Sequence, residues 1–189
     1  LAREYSHRDI SAFPAIGRID PGANPERGSG ALYRRLQGGG FADWRLSIEG
    51  SVDRPGMYSL GDLKRLPSRT QITRHTCEEG WTAIAEWTGV PLSRVLLAAG
   101  LRPSARSICC EAFDDRLGSM DLLDALHPQT LLAYGMNGRD LPTRHGAPVR
   151  LRVETQVGYK SLKFLQRIVV KDDFDDTEIR AGWALYAGI

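Results

Sequence analysis

From Trp44 onward, apolar and polar residues alternate in short runs separated by Gly, Pro and Asn, a period-two pattern that predicts half-buried strands with brief helices between them. Residues 44–50 read as a strand ending in Gly50, with a hairpin through Pro55-Gly56 after it. Residues 59–67 read as a short helix with Ser59 or Asp62 near its start, Pro67 at its end and Leu60, Leu63 and Leu66 on one face. Residues 71–77 form another alternating run that enters the turn-like Glu78-Glu79-Gly80-Trp81, which puts Cys77 at a strand end. Pro91 opens a helix over 92–99 that Gly100 stops. Further on come a strand around Ile108, a helix over 121–126, a strand or buried run at 131–134, a tight turn at Asn137-Gly138, and strands at 149–153 and 168–170.

Strands outnumber helices, and no regular strand-helix alternation or repeat occurs, so the expected fold is a mixed α+β domain, mostly β. The 189 residues fit one domain, with residues 1–40, rich in Gly, Pro, Arg and Ser, as an extended, loop-dominated N-terminal arm. A composition of 42% hydrophobic and 25% charged residues is that of an ordinary globular chain. Net charge is +2, too small and too evenly spread for a nucleic-acid footprint, and no apolar run is long enough to cross a bilayer. Gly38-Gly39-Gly40 lacks the context of a nucleotide loop. The chain opens at Leu1 rather than Met, as expected of a processed or trimmed N-terminus.

The three cysteines, Cys77, Cys109 and Cys110, are an odd number with no C-x-x-C spacing, so neither a disulfide framework nor a structural zinc site is written here. Cys109 and Cys110 lie in an apolar run and read as strand residues. Cys77, flanked by Arg74, His75, Glu78 and Glu79, has too few soft neighbours for a protein-only metal site and no hydrolase signature around it. On the residues alone, Arg150 reads as an exposed strand residue, His145 as a turn histidine, His75 as structural, and Trp81 and Trp87 as core.

The spaced series His75-Thr76-Cys77-Glu78-Glu79-Gly80-Trp81, Trp87-Thr88-Gly89-Val90-Pro91-Leu92, His127-Pro128-Gln129-Thr130-Leu131, His145-Gly146-Ala147-Pro148-Val149-Arg150 and Gly158-Tyr159-Lys160-Ser161-Leu162-Lys163 resembles the molybdopterin-binding domain of the sulfite oxidase family. It resembles most the short bacterial members related to the catalytic subunit of a periplasmic methionine sulfoxide reductase. The likeness runs from about Trp44 to Val170 and returns over 183–189.

The resemblance implies a molybdenum-molybdopterin cofactor with Cys77 as the protein's sulfur ligand and catalytic centre, and with Glu79 as an acidic group near the metal that relays protons or shapes the substrate cavity. It assigns His145 and Arg150 to the pterin, Ser161, Leu162 and Lys163 to a stretch that binds through backbone N–H groups and a lysine, and Ala112 to a contact not made by its side chain. It further implies two-electron oxygen-atom transfer on a small sulfur- or nitrogen-oxo substrate, a separate haem or cytochrome electron-transfer partner, and export to the periplasm. Arg74, Arg116 and Arg144 are the cations available for an anionic substrate such as sulfite. Three stretches depart from the family pattern: residues 18–20, the short segment 113–118 and the tail 175–182. They motivate a second expectation, a cofactor-free binding module that keeps the fold without catalysis.

Overall fold

Where the alternation is strong, it becomes strand. β1 (Arg45–Gly50) buries Leu46 and Ile48 and pairs antiparallel with β2 (Gly56–Ser59); Gly56 is itself a strand residue opposite Ile48, so the connection is the longer segment 51–55, held by Val52 against Leu101, rather than a tight turn at Pro55-Gly56. The computed structural model describes residues 7–17, 19–26 and 29–174. The expectations for Arg18 and for 175–189 therefore lie outside the described residues. Helix α2 (Leu60–Arg65) begins at Ser59, whose hydroxyl accepts from Asp62 N–H at 3.0 Å while the Asp62 carboxylate accepts from Ser59 N–H at 2.8 Å. Leu63 of α2 is fully buried, and Leu60 and Leu66 pack beside it. Helix α3 (Leu92–Ala99) ends at Gly100 in the left-handed region, φ 76°, as its position predicts.

Two five-stranded groups result. The first sheet runs β2-β1-β10-β5-β6, with β5 (Ser107–Ala112), β6 (Leu117–Asp121) and β10 (Leu165–Lys171); β1 and β10 are parallel, and its other pairs are antiparallel. The second runs β3-β4-β7-β8, with β3 (Arg69–Thr76), β4 (Thr82–Pro91), β7 (Leu131–Met136) and β8 (Arg139–Asp140), while β9 (Arg150–Arg152) pairs with β7. α4 (Leu122–Ala125) is capped by Asp121, whose carboxylate accepts from Asp124 N–H. Asn137 and Gly138, at φ 51° and 73°, make the predicted turn between β7 and β8. The main core packs Trp44, Leu46, Ile48, Leu92, Leu96, Ile108, Leu151 and Phe164 together, and a smaller cluster surrounds Trp87. Cys109 and Cys110 are buried in β5, and none of the three cysteines is in a disulfide among the described residues.

The structure corrects the sequence reading in three further places. Residues 30–38, expected as part of a loop-dominated arm, form α1 (Gly30–Gly38), which buries Tyr33 and Leu36. The glycines at both ends mislead: a Cβ at Gly30 would lie 2.2 Å from Asn24 O, so glycine is kept for close approach rather than for a loop. β4 is a strand that the pattern did not announce, because its inward positions include Ala83 and Ala85 while Ile84 faces outward. Leu117 and Gly118, placed in a short loop, belong to β6, whose buried Gly118 and Ser119 carry no hydrophobic signal.

Where β4 crosses to β7 its register shifts at Thr88/Gly89, and a Cβ at Gly89 would lie 2.3 Å from Leu132 O. Gly89→Ala is therefore expected to lower unfolding free energy by about 2–4 kcal/mol, since backbone rather than a flexible side chain has to move. Urea denaturation measures the loss, and an unchanged midpoint would contradict the close approach.

Candidate active site

β3 delivers Cys77 to the open end of the second sheet, and the turn after it fixes the thiol: Cys77 N–H donates to Trp81 O at 2.9 Å and Gly80 N–H to Cys77 O at 3.1 Å. Cys77 lines a cavity of about 450 Å³. Its Sγ lies 3.4 Å from Glu78 Oε2 and 4.0 Å from Glu79 Oε2, and Trp81 Nε1 donates to Glu79 Oε2 at 3.2 Å. Burial, followed by the charges of Glu78 and Glu79, pushes the Cys77 thiol up to about 11, so the free protein holds it protonated.

The opposite wall is cationic. Arg150, at the start of β9, is buried and donates from Nη1 to His145 O at 3.0 Å, from Nη2 to Ser161 O at 2.7 Å and from Nε to Leu151 O at 3.4 Å. Lys163 Nζ donates to Ile16 O at 2.8 Å and to Arg144 O at 3.1 Å, and burial with Arg150 lowers its pKa to about 8. Ser161 Oγ accepts from Arg152 Nη1 and Val153 N–H at 3.1 and 3.2 Å. Ser161, Leu162 and Lys163 all line the cavity, although the Ser161 and Leu162 N–H groups donate within the turn, to Gly158 O and Lys160 O. Lys160 is turned away, donating to Ser119 O at 2.7 Å.

Two expected residues stand behind the wall. His145 is buried beside Arg150, and its Nδ1 has no hydrogen-bond partner among the described residues. Ala112 ends β5, its N–H donating to Arg116 O and its carbonyl accepting from Asp115 N–H. Of the three arginines considered for an anionic substrate, Arg116 lines the cavity; Arg74 and Arg144 are exposed and do not. His75 and Trp81, read as structural and core, line the cavity with their rings 5.3 Å apart; Trp87 is core. The sequence reading also missed Phe13, which the arm places edge-on to Trp81, Trp87 and His145, and Arg152 and Glu154, a fully buried pair. The signal for Arg152 was its two-residue spacing from Arg150, which keeps both on one face of β9.

These residues fit an anionic, ring-bearing group. Arg150 and Lys163 line one wall with Arg152 buried beside Arg150, and the pKa values of Arg150, Lys163, His75 and His145 are all lowered, by burial first and by neighbouring cations next. A wall that resists further protonation is one whose charge a bound anion relieves. The unpartnered His145 Nδ1 adds a buried hydrogen-bonding atom beside that wall. The thiol of Cys77 is a soft donor that releases its proton to a metal ion, and no group of three or more His, Cys, Asp or Glu among the described residues makes a metal site from protein alone.

His145, lowered to about 4 by burial, Arg150, Lys163 and Arg144, gives a pH test. Below pH 6.5 the unfolded state takes up a proton that the folded state refuses, so stability falls with falling pH, by about 1.4 kcal/mol per unit until pH 4. Cofactor-free protein is expected to lose about 3 kcal/mol from this group between pH 7 and 4. His75, lowered by burial and Arg152 to about 2, adds a slope of the same sign, so His145→Asn should make the total slope in urea denaturation shallower without abolishing it, and an unaltered slope would contradict the assignment.

Comparison with known proteins agrees with the geometry. The model of the oxidoreductase molybdopterin binding domain matches residues 37–178. The putative protein-methionine-sulfoxide reductase subunit YedZ1 of Azospira oryzae is 39% identical over 133 residues, covering 70% of this chain and 51% of its own length. The protein-methionine-sulfoxide reductase catalytic subunit MsrP of Xanthomonas axonopodis pv. citri is 33% identical over 153 residues, covering 72% of this chain and 48% of its own. The chain thus spans about half the length of these curated relatives. The sulfane dehydrogenase SoxCD of Paracoccus pantotrophus superposes with a TM-score of 0.69 at 27% identity, over 72% of this chain and 40% of that one. The chain belongs to the oxidoreductase molybdopterin-binding domain family, the family of sulfite oxidase, with its mixed α+β fold and its molybdenum-molybdopterin cofactor.

Proposed function

We propose that this chain is a molybdenum-cofactor-dependent oxidoreductase that transfers an oxygen atom to or from a small neutral or cationic sulfur- or nitrogen-oxo compound, with sulfoxide reduction as the favoured direction. The observation that carries this reading is the polarity of the cavity. Its buried wall is cationic, while its exposed rim holds, among the described residues, Glu78, Glu79 and Asp115 against Arg116. A dianion such as sulfite meets like charge at that rim. A neutral sulfoxide does not, and the faces of Phe13 and Trp81 offer its apolar substituents a surface.

When bound, the cofactor supplies the two-electron change and the oxo exchange. Arg150, Lys163 and His145 would hold its anionic and ring atoms, and Cys77 Sγ would bind the metal. Reduction of a sulfoxide takes up two electrons and two protons and releases water, so the site needs a proton donor at the substrate oxygen. Glu79, exposed at the rim and 4.0 Å from Cys77 Sγ, is placed to carry protons from solvent, with Trp81 Nε1 orienting its carboxylate. Electrons come one at a time from a separate haem or cytochrome partner, and the periplasm is the compartment in which that exchange takes place. No helix among the described residues is long and apolar enough to cross a membrane.

Molybdenum and releasable pterin near one per chain, with dye-coupled turnover of methionine sulfoxide exceeding that of sulfite, are the expected results. Turnover of sulfite alone would reverse the substrate assignment. Natively purified protein without molybdenum or pterin would support the cofactor-free binding module instead.

A further inference from the structure

Behind Cys77 lies a set of buried charges that the cofactor reading leaves unused. The Arg152 and Glu154 side chains are each 1% exposed and pair at 2.8 Å. Gln71, on β3, donates to Glu154 Oε1 at 3.1 Å and to Gln129 O at 2.9 Å, tying the pair to the second sheet. Arg152 Nη1 lies 2.6 Å from His75 Nδ1, and its guanidinium stacks over the Trp87 ring at 4.8 Å.

A guanidinium has five N–H donors and no acceptor, so the ring nitrogen that meets it must accept. A neutral imidazole that accepts at Nδ1 carries its hydrogen on Nε2. His75 lines the cavity beside Cys77, its ring held between Trp81 and Phe13 at 5.3 and 5.2 Å between centroids. Among the described residues, Nε2 has no hydrogen-bond partner. A Cβ at Gly158 would lie 2.5 Å from Nε2, so the glycine makes room for this ring position.

We propose that Arg152 and Glu154 are positioning residues that hold His75 as an Nε2–H donor facing the cavity beside Cys77, where it donates to an acceptor atom of the pterin cofactor. Glu154 makes the arrangement tenable, because it neutralises a guanidinium that is buried beside the Arg150 cation. The identity of the acceptor rests on the proposed function; the tautomer does not.

The test uses the chain as purified, with 15N-labelled histidine, and nitrogen NMR at neutral pH. His75, assigned by its disappearance in His75→Gln, is expected to show an unprotonated Nδ1 and a protonated Nε2. In Arg152→Met/Glu154→Gln, which removes both charges at similar volume, the signals should move toward a tautomer mixture. His75→Gln keeps a donor near Nε2 and His75→Phe does not, so the Phe variant should lose pterin about tenfold faster on dialysis than the Gln variant. A protonated Nδ1 in the wild type, an unmoved tautomer in a folded double variant, or equal pterin loss from the Gln and Phe variants would overturn the proposal. Should the double variant not fold, the wild-type tautomer and the Gln–Phe contrast still decide. A wild-type chain with no pterin would overturn the cofactor reading and the donor's partner with it, while the tautomer measurement would still judge the role of Arg152.

Discussion

Cys77→Ser is expected to abolish oxygen-atom transfer while leaving the fold within about 1 kcal/mol of the wild type, because the exchange alters one atom at a turn whose backbone hydrogen bonds do not involve the side chain. A serine hydroxyl is a harder and far less acidic ligand than a thiol. The thiol's own proton is already held tightly, at about 11, by burial and by Glu78 and Glu79, so only a strongly bound cation displaces it. Pterin should stay with the variant, since Arg150 and Lys163 lie on another wall. Activity assay, thermal melting and pterin release together check this, and full turnover in Cys77→Ser would remove the ligand assignment.

Arg150→Met should show the second large effect, on stability and cofactor together. Two terms oppose each other. Removing the guanidinium relieves the cost of burying its charge and its repulsion with Arg152, yet it strips partners from the carbonyls of His145, Ser161 and Leu151. Each orphaned buried acceptor costs about 1–3 kcal/mol, and methionine cannot reach any of them. The carbonyl loss should win, lowering unfolding free energy by about 2–4 kcal/mol and leaving the purified variant without pterin. Inorganic phosphate should raise the melting temperature of cofactor-free wild type more than that of the variant. A variant that gained stability and kept its pterin would show that this wall is not the anion site.

How much of this was legible in the sequence follows from which signals are local. The α2 capping box, the Gly100 stop and the Asn137-Gly138 turn are written in neighbouring residues, and the structure has each where the pattern predicts it. β4 and α1 were hidden because small or glycine residues meet packing demands set by distant chain, as at Gly89 against Leu132 and Gly30 against Asn24. Cys77, Glu79, Arg150, Ser161, Leu162 and Lys163 came from the spaced motifs and lie around one cavity. His75 with Arg152 could not be read, because the two are 77 positions apart and meet only when β9 joins β7 in the second sheet.

β10, the last described strand in the chain, is the middle one of the first sheet, flanked by β1 on one side and β5 on the other. Its Arg167 bonds Glu49 across 118 positions. A nascent polypeptide halted before Leu165 therefore exposes two raw strand edges at once, one on each side of a missing centre, and both are templates for aggregation. Closure of that sheet waits until β10 has left the ribosome, 118 positions after Glu49 of β1, which makes folding slow and ties competence to receive a prosthetic group to the emergence of that one strand.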